Sequence, residues 1–218
     1  MDTILILQGG GSLGAYECGV YQALAPWLRS RGHRLSVVAG TSIGAINASL
    51  IAARFRDADQ GVGALRNFWN SLAEQSFQFP LLAGENPSWS AVWTSLLFGN
   101  SRLFRPTVPF WTFAPPVAWA PFRNFYETCP MERTLAELFD PIGPRQQDPR
   151  LILTAVDLQK IRVVAFDSYE IAVTPRHVVA SCSLPPSFPE TEIDGHSYWD
   201  GGLWSNTSSA EKSKFLRA

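Results

Sequence analysis

The sequence predicts an α/β protein with parallel strands, and three observations lead to this class. A continuous apolar run over residues 3–8 ends in a cluster of glycines and is followed by apolar residues at helical spacing. A second apolar run, roughly 35–39, ends in Gly-x-Ser-x-Gly and is also followed by a helical pattern. With 46% hydrophobic and 17% charged residues, the composition is that of an ordered globular protein. Because strands of parallel sheets are buried on both faces and alternate with helices, these two strand–helix units indicate a parallel sheet.

Charge and cysteine content narrow the classes of partner. Eighteen basic and nineteen acidic residues give a net charge of -1, which argues against nucleic acid. Cys18, Cys129 and Cys182 form neither a metal-ligand pattern nor a disulfide framework, and this favours a reducing compartment. The N-terminus lacks the features of a signal peptide, and no apolar run is long enough to span a membrane. We therefore expect a single cytoplasmic domain over residues 1–218.

The glycine turn after the first strand has two interpretations. Gly9, Gly11 and Gly14 fit the dinucleotide fingerprint, but that fingerprint needs an acidic residue at the end of the second strand. The second strand ends instead at residues 40–42, where no acid occurs. The other interpretation is an oxyanion hole, because glycines leave N–H groups unobstructed at a helix N-terminus. A nucleophile on the next parallel strand would lie beside this turn, so we favour the oxyanion hole.

The turn after the second strand has the form of a nucleophile elbow. In such an elbow a strand, a sharp turn that carries the serine, and a helix follow one another. The turn holds Ser42 in a strained conformation, so the residues two before and two after must be small, as Gly40 and Gly44 are. Ser42 is therefore the candidate nucleophile, and the N–H of Ile43 is a candidate oxyanion donor.

The remaining elements follow from apolar spacing and turn chemistry. Thr174-Pro175 is an N-cap followed by proline, and Asp194-Gly195 is a hairpin signal. The spacing predicts helices at about 43–55, 62–75, 130–139 and 175–181, strands at 151–156 and 161–166, and a last strand that ends near Asp200.

An aromatic and proline-rich excursion covers residues 77–122 and extends to about residue 126. Its only charged residues before position 123 are Glu85, Arg102 and Arg105, and its prolines prevent a long helix. Two interpretations stay open. The excursion packs irregularly on the core, or it forms a flap or an apolar surface in peripheral contact with a membrane.

A serine nucleophile needs a base, and a histidine triad is one candidate. Ser42 followed by Asp157 and then by His177 or His196 fits the chain order of α/β-hydrolases. That fold, however, has several strands before its elbow, and its oxyanion loop follows the third of them. Here one strand precedes the elbow strand, so the triad remains the less favoured alternative.

Asp200 is the preferred base. Gly201 and Gly202 follow it and allow its backbone to approach Ser42 closely. An ordinary aspartate has a pKa of about 4, so direct Ser–Asp chemistry requires surroundings that raise this value.

Taken together, these features resemble the patatin-like phospholipase family, and bacterial members in particular. The resemblance covers roughly residues 3–206 and includes the stretches around residues 180–189 and 193–200. Its three signature blocks are Gly9-Gly10-Gly11-Ser12-Leu13-Gly14, Gly40-Thr41-Ser42-Ile43-Gly44 and Asp200-Gly201-Gly202.

The resemblance implies a three-layer α/β/α fold with a mostly parallel central sheet. It also implies a Ser42–Asp200 dyad, with an oxyanion hole formed by the turn at residues 9–11. The implied reaction is hydrolysis of acyl esters in phospholipids, glycerolipids or simple esters, without a metal or a cofactor. The other classes that we considered are a catalytically impaired lipid-binding module and a nicotinamide-binding domain.

Two features depart from the family pattern. Members usually follow the aspartate block with Asn-x-Pro, whereas Asn206 precedes Thr207 and Ser208 here. Members also continue with a further strand and helix, whereas this chain stops at Ala218. We therefore expect a shortened or replaced C-terminus.

Overall fold

The computed structural model describes residues 1–55, 58–74, 99–107, 124–144 and 149–204, without the side chains of residues 58–60 and 74. Of the aromatic excursion, only residues 99–107 and 124–126 belong to this part of the chain. The rest of it, and the departure at residues 206–218, lie outside the described residues.

The described residues form helices and strands close to the predicted ones. Each predicted helix and strand is present, with its ends within a few residues of the predicted positions. The helices are α1 (Leu13–Ser30), α2 (Ile43–Ala53), α3 (Ala58–Glu74), α4 (Cys129–Leu138) and α5 (Pro175–Cys182). The strands are β1 (Asp2–Leu7), β2 (Arg34–Thr41), β3 (Arg105–Pro106), β4 (Tyr126–Glu127), β5 (Arg150–Asp157), β6 (Arg162–Asp167), β7 (Thr191–Ile193) and β8 (His196–Asp200).

A six-stranded mixed sheet is the centre of the fold. Its order is β1-β2-β5-β8-β7, and β6 pairs with the other edge of β5. Strands β1, β2 and β5 are parallel neighbours, and β7 points the same way because it is antiparallel to β8, which is antiparallel to β5. Only β6 and β8 run in the opposite direction. The predicted α/β class with a mainly parallel central sheet is therefore confirmed.

The first helices pack on one face of the sheet, because β1, β2 and β5 follow one another in a single direction across it. Right-handed crossovers that advance in one direction, from β1 to β2 to β5, place their helices on the same face of the sheet. Accordingly, α2 packs on all three of these strands, α1 packs on α2, and α3 packs on both helices. Helix α5 covers β5, β7 and β8 and also contacts α2, while α4 packs on α5.

Helix α2 is the centre of the hydrophobic core. Every residue from Ile43 to Ala52 is buried, because small and apolar side chains surround the whole helix. The opposing sheet face contributes Leu7, Val38 and Leu153 to the same cluster. Because α2 is buried on all sides, its first turn is held in place by packing. Ser42 directly precedes this turn.

No helix among the described residues is long and apolar enough to cross a membrane.

Candidate active site

The turn between β2 and α2 is a strained elbow. Ser42 has φ 55° and ψ -129°, a conformation that residues other than glycine rarely adopt. The turn is also too tight for side chains on either side of it. A Cβ at Gly40 would lie 2.3 Å from the carbonyl oxygen of Gly44, and one at Gly44 would lie 2.6 Å from the carbonyl of Leu7. The geometry thus agrees with the elbow that the sequence predicts.

Strand β5 brings the end of β2 and the end of β8 together. Thr41 pairs with Thr154, and Asp200 pairs with the next residue, Ala155. Strand β6 pairs with the opposite edge of β5 over both positions, so β2 and β8 share one edge. They run toward each other along that edge and end at consecutive positions. Ser42 and Asp200, which are 158 positions apart in the sequence, therefore lie near the same point on this edge of β5.

The Asp200 carboxyl is buried, with 2% of the residue exposed. The Ser42 hydroxyl lies near enough to act on it and lowers its pKa. Its Oδ1 also accepts the N–H of Gly202 at 2.7 Å. Burial raises the pKa of Asp200 above its ordinary value, and the interactions with the Ser42 hydroxyl and the Gly202 N–H oppose the rise only in part. Gly201 allows the close approach, because a Cβ there would lie 2.6 Å from the carbonyl oxygen of Thr154.

The glycine turn after β1 lies beside the elbow, since Gly11 and Ser42 line the same cavity. Gly10 and Gly11 have φ of 156° and 58°, and Gly9 precedes them in a buried position. In the described part of the chain, the N–H groups of Gly10, Gly11 and Ile43 donate to no protein acceptor. In general, N–H groups without an acceptor at helix N-termini favour negative charge nearby.

Gly14 joins this turn to the elbow. A Cβ at Gly14 would lie 2.6 Å from Cγ1 of Ile43 and 2.5 Å from the ring of Trp69. Helix α1 can therefore approach α2 and α3 at this point only because position 14 has no side chain.

Ser181 and Cys182 on α5 hold the backbone of Ser42, and no role was predicted from the sequence for either residue. Ser181 Oγ accepts the N–H of Ser42 at 3.1 Å and donates to the Thr154 carbonyl at 2.8 Å. Cys182 Sγ donates to the Ser42 carbonyl at 3.1 Å. Burial and the charge of Asp200 raise the pKa of Cys182 well above its ordinary value, so the thiol stays a donor. The only sign of this role in the sequence is that Ser181 and Cys182 are two polar residues at the end of a predicted helix.

Asn47 is the centre of a second supporting network that sequence reasoning missed. Its Nδ2 donates to the Gly14 carbonyl at 2.9 Å and to Glu17 Oε2 at 3.0 Å, while its Oδ1 accepts Trp69 Nε1 at 3.0 Å. Glu17 Oε1 in turn accepts the N–H of Gln8, just before the glycine turn, at 2.7 Å. The signal for this network was an asparagine in an otherwise apolar helix.

A cavity of about 760 Å³ opens beside Ser42. Its wall includes the glycine turn, the elbow and side chains of α1, α3 and α4, and most of these side chains are apolar. Among the lining residues are Gly11, Ser42, Ile46, Trp69, Leu103, Phe104, Met131 and Phe188. A space of this size and character suits a hydrocarbon chain or a similar apolar group.

The histidines of the alternative triad lie in other contacts. His196 Nδ1 lies 3.2 Å from Oδ2 of the buried Asp157. The ring of His177 belongs to the capping box of α5, where its Nδ1 accepts the N–H of Thr174 at 3.1 Å. Burial lowers the pKa of His177 below its ordinary value. Within the described ranges, no hydrogen bond joins Ser42 to any histidine. The structure thus brings Asp157 and His196 together, but not with the serine.

The described residues contain no group of three or more His, Cys, Asp or Glu side chains that could hold a metal ion.

Comparison with known proteins identifies a family. Residues 5–208 match the protein-family model described as patatin-like phospholipase. Among solved structures, the chain is similar to the crystal structure of VipD from Legionella pneumophila, with 16% sequence identity and a TM-score of 0.45. That alignment covers 94% of this chain and 46% of VipD, so the chain spans less than half the length of that protein. A search of curated proteins found no match.

Proposed function

The chain belongs to the patatin-like phospholipase family, and from this premise we propose that it is a serine acyl hydrolase that cleaves lipid esters through a Ser42–Asp200 dyad. Membership of the family indicates lipid acyl hydrolase activity. The dyad, the acyl-enzyme and the oxyanion hole are the more specific parts of the proposal.

One observation carries the proposal. The strained Ser42 interacts with a buried carboxyl whose pKa is raised, and Ser42 borders an apolar cavity. A nucleophile in contact with a base is the minimum requirement of covalent acyl transfer. The raised pKa also makes Asp200 a stronger base than an exposed aspartate, because basicity rises with the pKa of the conjugate acid.

In the first step, Asp200 removes the proton of Ser42 while Oγ attacks the ester carbonyl. The carbonyl oxygen gains negative charge, which the N–H groups of Gly10, Gly11 and Ile43 stabilise. The tetrahedral intermediate then collapses, the bond to the alcohol breaks, and the protonated Asp200 gives its proton to the leaving oxygen. The products of this step are an acyl-Ser42 ester and a free alcohol.

In the second step, Asp200 accepts a proton from water, and the resulting hydroxide attacks the acyl-Ser42 carbonyl. The same N–H groups hold the second oxyanion. Collapse of this intermediate releases the fatty acid, and Asp200 returns its proton to Ser42. Asp200 thus acts as the general base when a nucleophile is deprotonated and as the general acid when a leaving group is protonated.

The cavity supports an apolar acyl group as the part of the substrate that is held. Its side chains are mainly aliphatic and aromatic, and such a site gains affinity from burial of hydrocarbon. A cytoplasmic setting is part of the proposal. It is supported by Cys18, Cys129 and Cys182, which are all free thiols.

The test is the intact mass of the protein after treatment with an alkyl fluorophosphonate, on wild type and on Ser42→Ala side by side. The proposal expects one adduct on wild type and none on the variant, because only an activated serine reacts. It also expects release of fatty acid from phospholipid by wild type alone. A folded wild type that takes no adduct and binds lipid without hydrolysis would instead be a lipid-binding module.

A further inference from the structure

The outer face of α1 is apolar over almost its whole length. Leu13, Tyr16, Val20, Ala23 and Trp27 succeed one another at spacings of three and four residues, and together they are here named the α1 face. The exposed fractions are 61% for Leu13, 73% for Tyr16, 44% for Val20 and 48% for Trp27. Four large apolar side chains on one helix are thus open in the described part of the chain.

A helix on the surface of a soluble protein normally carries charged side chains on its outer face. In α1 the only charged residues are Glu17 and Arg29. Glu17 accepts hydrogen bonds from Gln8 and Asn47, so it turns toward the site and away from the α1 face. The α1 face therefore carries no charged side chain before the last turn of the helix. An exposed apolar face of this kind marks a contact site for a protein or a membrane.

The α1 face is continuous with the cavity. Ala15 and Gly19 lie on the same exposed side of α1 and line the cavity beside Ser42. The small residues of this side therefore face the cavity, and the larger ones lie next to them on the outside. A lipid surface that covered the α1 face would be adjacent to the opening through which an acyl chain enters.

The residue types favour a lipid surface over a helix of another protein. When a helix pairs with another helix through apolar residues at this spacing, the positions on both sides of the seam usually carry charged side chains. The positions beside the α1 face carry none. Tyrosine and tryptophan suit the boundary between hydrocarbon and headgroups, because each has an apolar ring and a polar tip. Beyond Trp27 follow Arg29 and Arg31, and the Arg31 guanidinium lies 5.5 Å from the centre of the Trp27 ring. Such cations attract anionic headgroups.

We propose that the α1 face is the surface by which this protein docks on aggregated lipid, with the cavity opening toward that lipid. The proposal rests on the proposed function for its choice of a lipid surface, but its test does not depend on catalysis.

The experiment measures binding to vesicles in the Ser42→Ala background, so that no lipid is hydrolysed. The test variant carries Tyr16→Gln and Val20→Gln, two exposed positions outside the cavity wall. The control carries Ile4→Gln and Ile171→Gln, which replace two exposed isoleucines elsewhere, at 48% and 39% exposure. Sedimentation with phosphatidylglycerol vesicles and with phosphatidylcholine vesicles gives the partition coefficients. Circular dichroism and size exclusion confirm that each variant is folded, and the single variant Tyr16→Gln serves if the double variant is not.

The expected result is a partition coefficient at least about tenfold lower for the test variant, since each large apolar side chain contributes about this factor when buried. The control should bind as the parent does, and phosphatidylglycerol should be preferred. With Ser42 restored, the test variant should hydrolyse a short soluble ester like wild type but lose activity on vesicles. Equal vesicle binding by parent and test variant, or no binding by the parent, would overturn the proposal. A parent dimer that becomes a monomer in the test variant would show a protein interface instead. Failure of wild type on the soluble ester would count against the proposed function alone.

Discussion

Ser42 and Asp200 lie close together because two strands end at consecutive positions of a third. Strand β2 ends opposite Thr154 and β8 ends opposite Ala155, on the same edge of β5. The Asp200 carboxyl is buried there, and its pKa responds to the Ser42 hydroxyl. The relative position of the two groups is therefore set by sheet register, which is far stiffer than a loop.

Replacement of Asp200 by asparagine should lower kcat by about 10²–10⁴, the usual contribution of a general base. Asparagine can still accept the N–H of Gly202 but cannot accept the proton of Ser42. The reference variant is His196→Ala, because His196 contacts Asp157 and not Ser42. Steady-state hydrolysis of a soluble ester measures both. Near-wild-type turnover in Asp200→Asn with loss in His196→Ala would support the triad and refute the dyad.

The acid limb of the pH–rate profile should lie above the ordinary aspartate pKa of about 4. Burial raises the pKa of Asp200, and only the deprotonated carboxylate can accept the proton of Ser42. The value of kcat/KM should therefore rise with pH through the raised pKa and fall below it. The measurement is the pH dependence of kcat/KM with an ester substrate that has no titrating group near this pH, and it tests whether the pKa of Asp200 is raised or lowered. A limb at or below the ordinary value would mean that another group controls the reaction.

Gly44→Ala should destabilise the protein by about 1–3 kcal/mol and lower kcat, because the new methyl group would overlap the carbonyl of Leu7. Gly63→Ala is the matched control, since a Cβ at that helical position has no atom within 4 Å. It should stabilise the protein by about 0.5–1 kcal/mol, the propensity difference between the two residues. Urea unfolding measures both free energies. Equal effects of the two substitutions would contradict the close contact of the elbow with β1.

Ser181→Ala should cost about 1–3 kcal/mol of stability and reduce kcat, because it leaves the Ser42 N–H and the Thr154 carbonyl without their shared partner. Ser49→Ala is a second buried serine for comparison, and its hydroxyl donates only within α2, to the Ala45 carbonyl. That change should have little effect on kcat. Parallel unfolding and turnover assays separate the two outcomes, and a normal kcat in Ser181→Ala would refute its role in positioning the elbow.

Asn47→Ala should lower kcat more than it changes KM, because it removes the links from Gly14, Glu17 and Trp69 that hold the glycine turn. An oxyanion donor contributes about 10²–10³ in rate, so partial misplacement should cost a fraction of this factor. Asn67→Ala, an exposed position on α3, is the control and should behave as wild type. The rate of fluorophosphonate labelling gives an independent reading of the same site. Unchanged labelling and turnover in Asn47→Ala would show that the network supports stability alone.

The sequence alone determined the elements of the fold and the two turns that carry the site. Apolar runs, helical spacing and turn residues are local properties, so β1, β2, β5 and α2 could be predicted within a few residues. Gly40 and Gly44 identified the elbow for the same reason, because a sharp turn imposes its size limit on neighbours in the chain. The choice of Asp200 as the base came partly from the two glycines that follow it and partly from resemblance to the patatin-like family.

Only the tertiary structure decided which residues contact the glycine turn and the elbow. Register on β5 places Asp200 beside the end of β2, whereas Asp157 lies against His196. The roles of Ser181 and Asn47 depend on the packing of α5 and α2 against strands distant in sequence, and no local pattern contains that information. The same holds for the α1 face. The residues of α1 read as an ordinary amphipathic helix, and only the three-dimensional packing shows that Tyr16, Val20 and Trp27 point outward. Burial is a property of the folded chain, so it cannot be assigned before the neighbours are known.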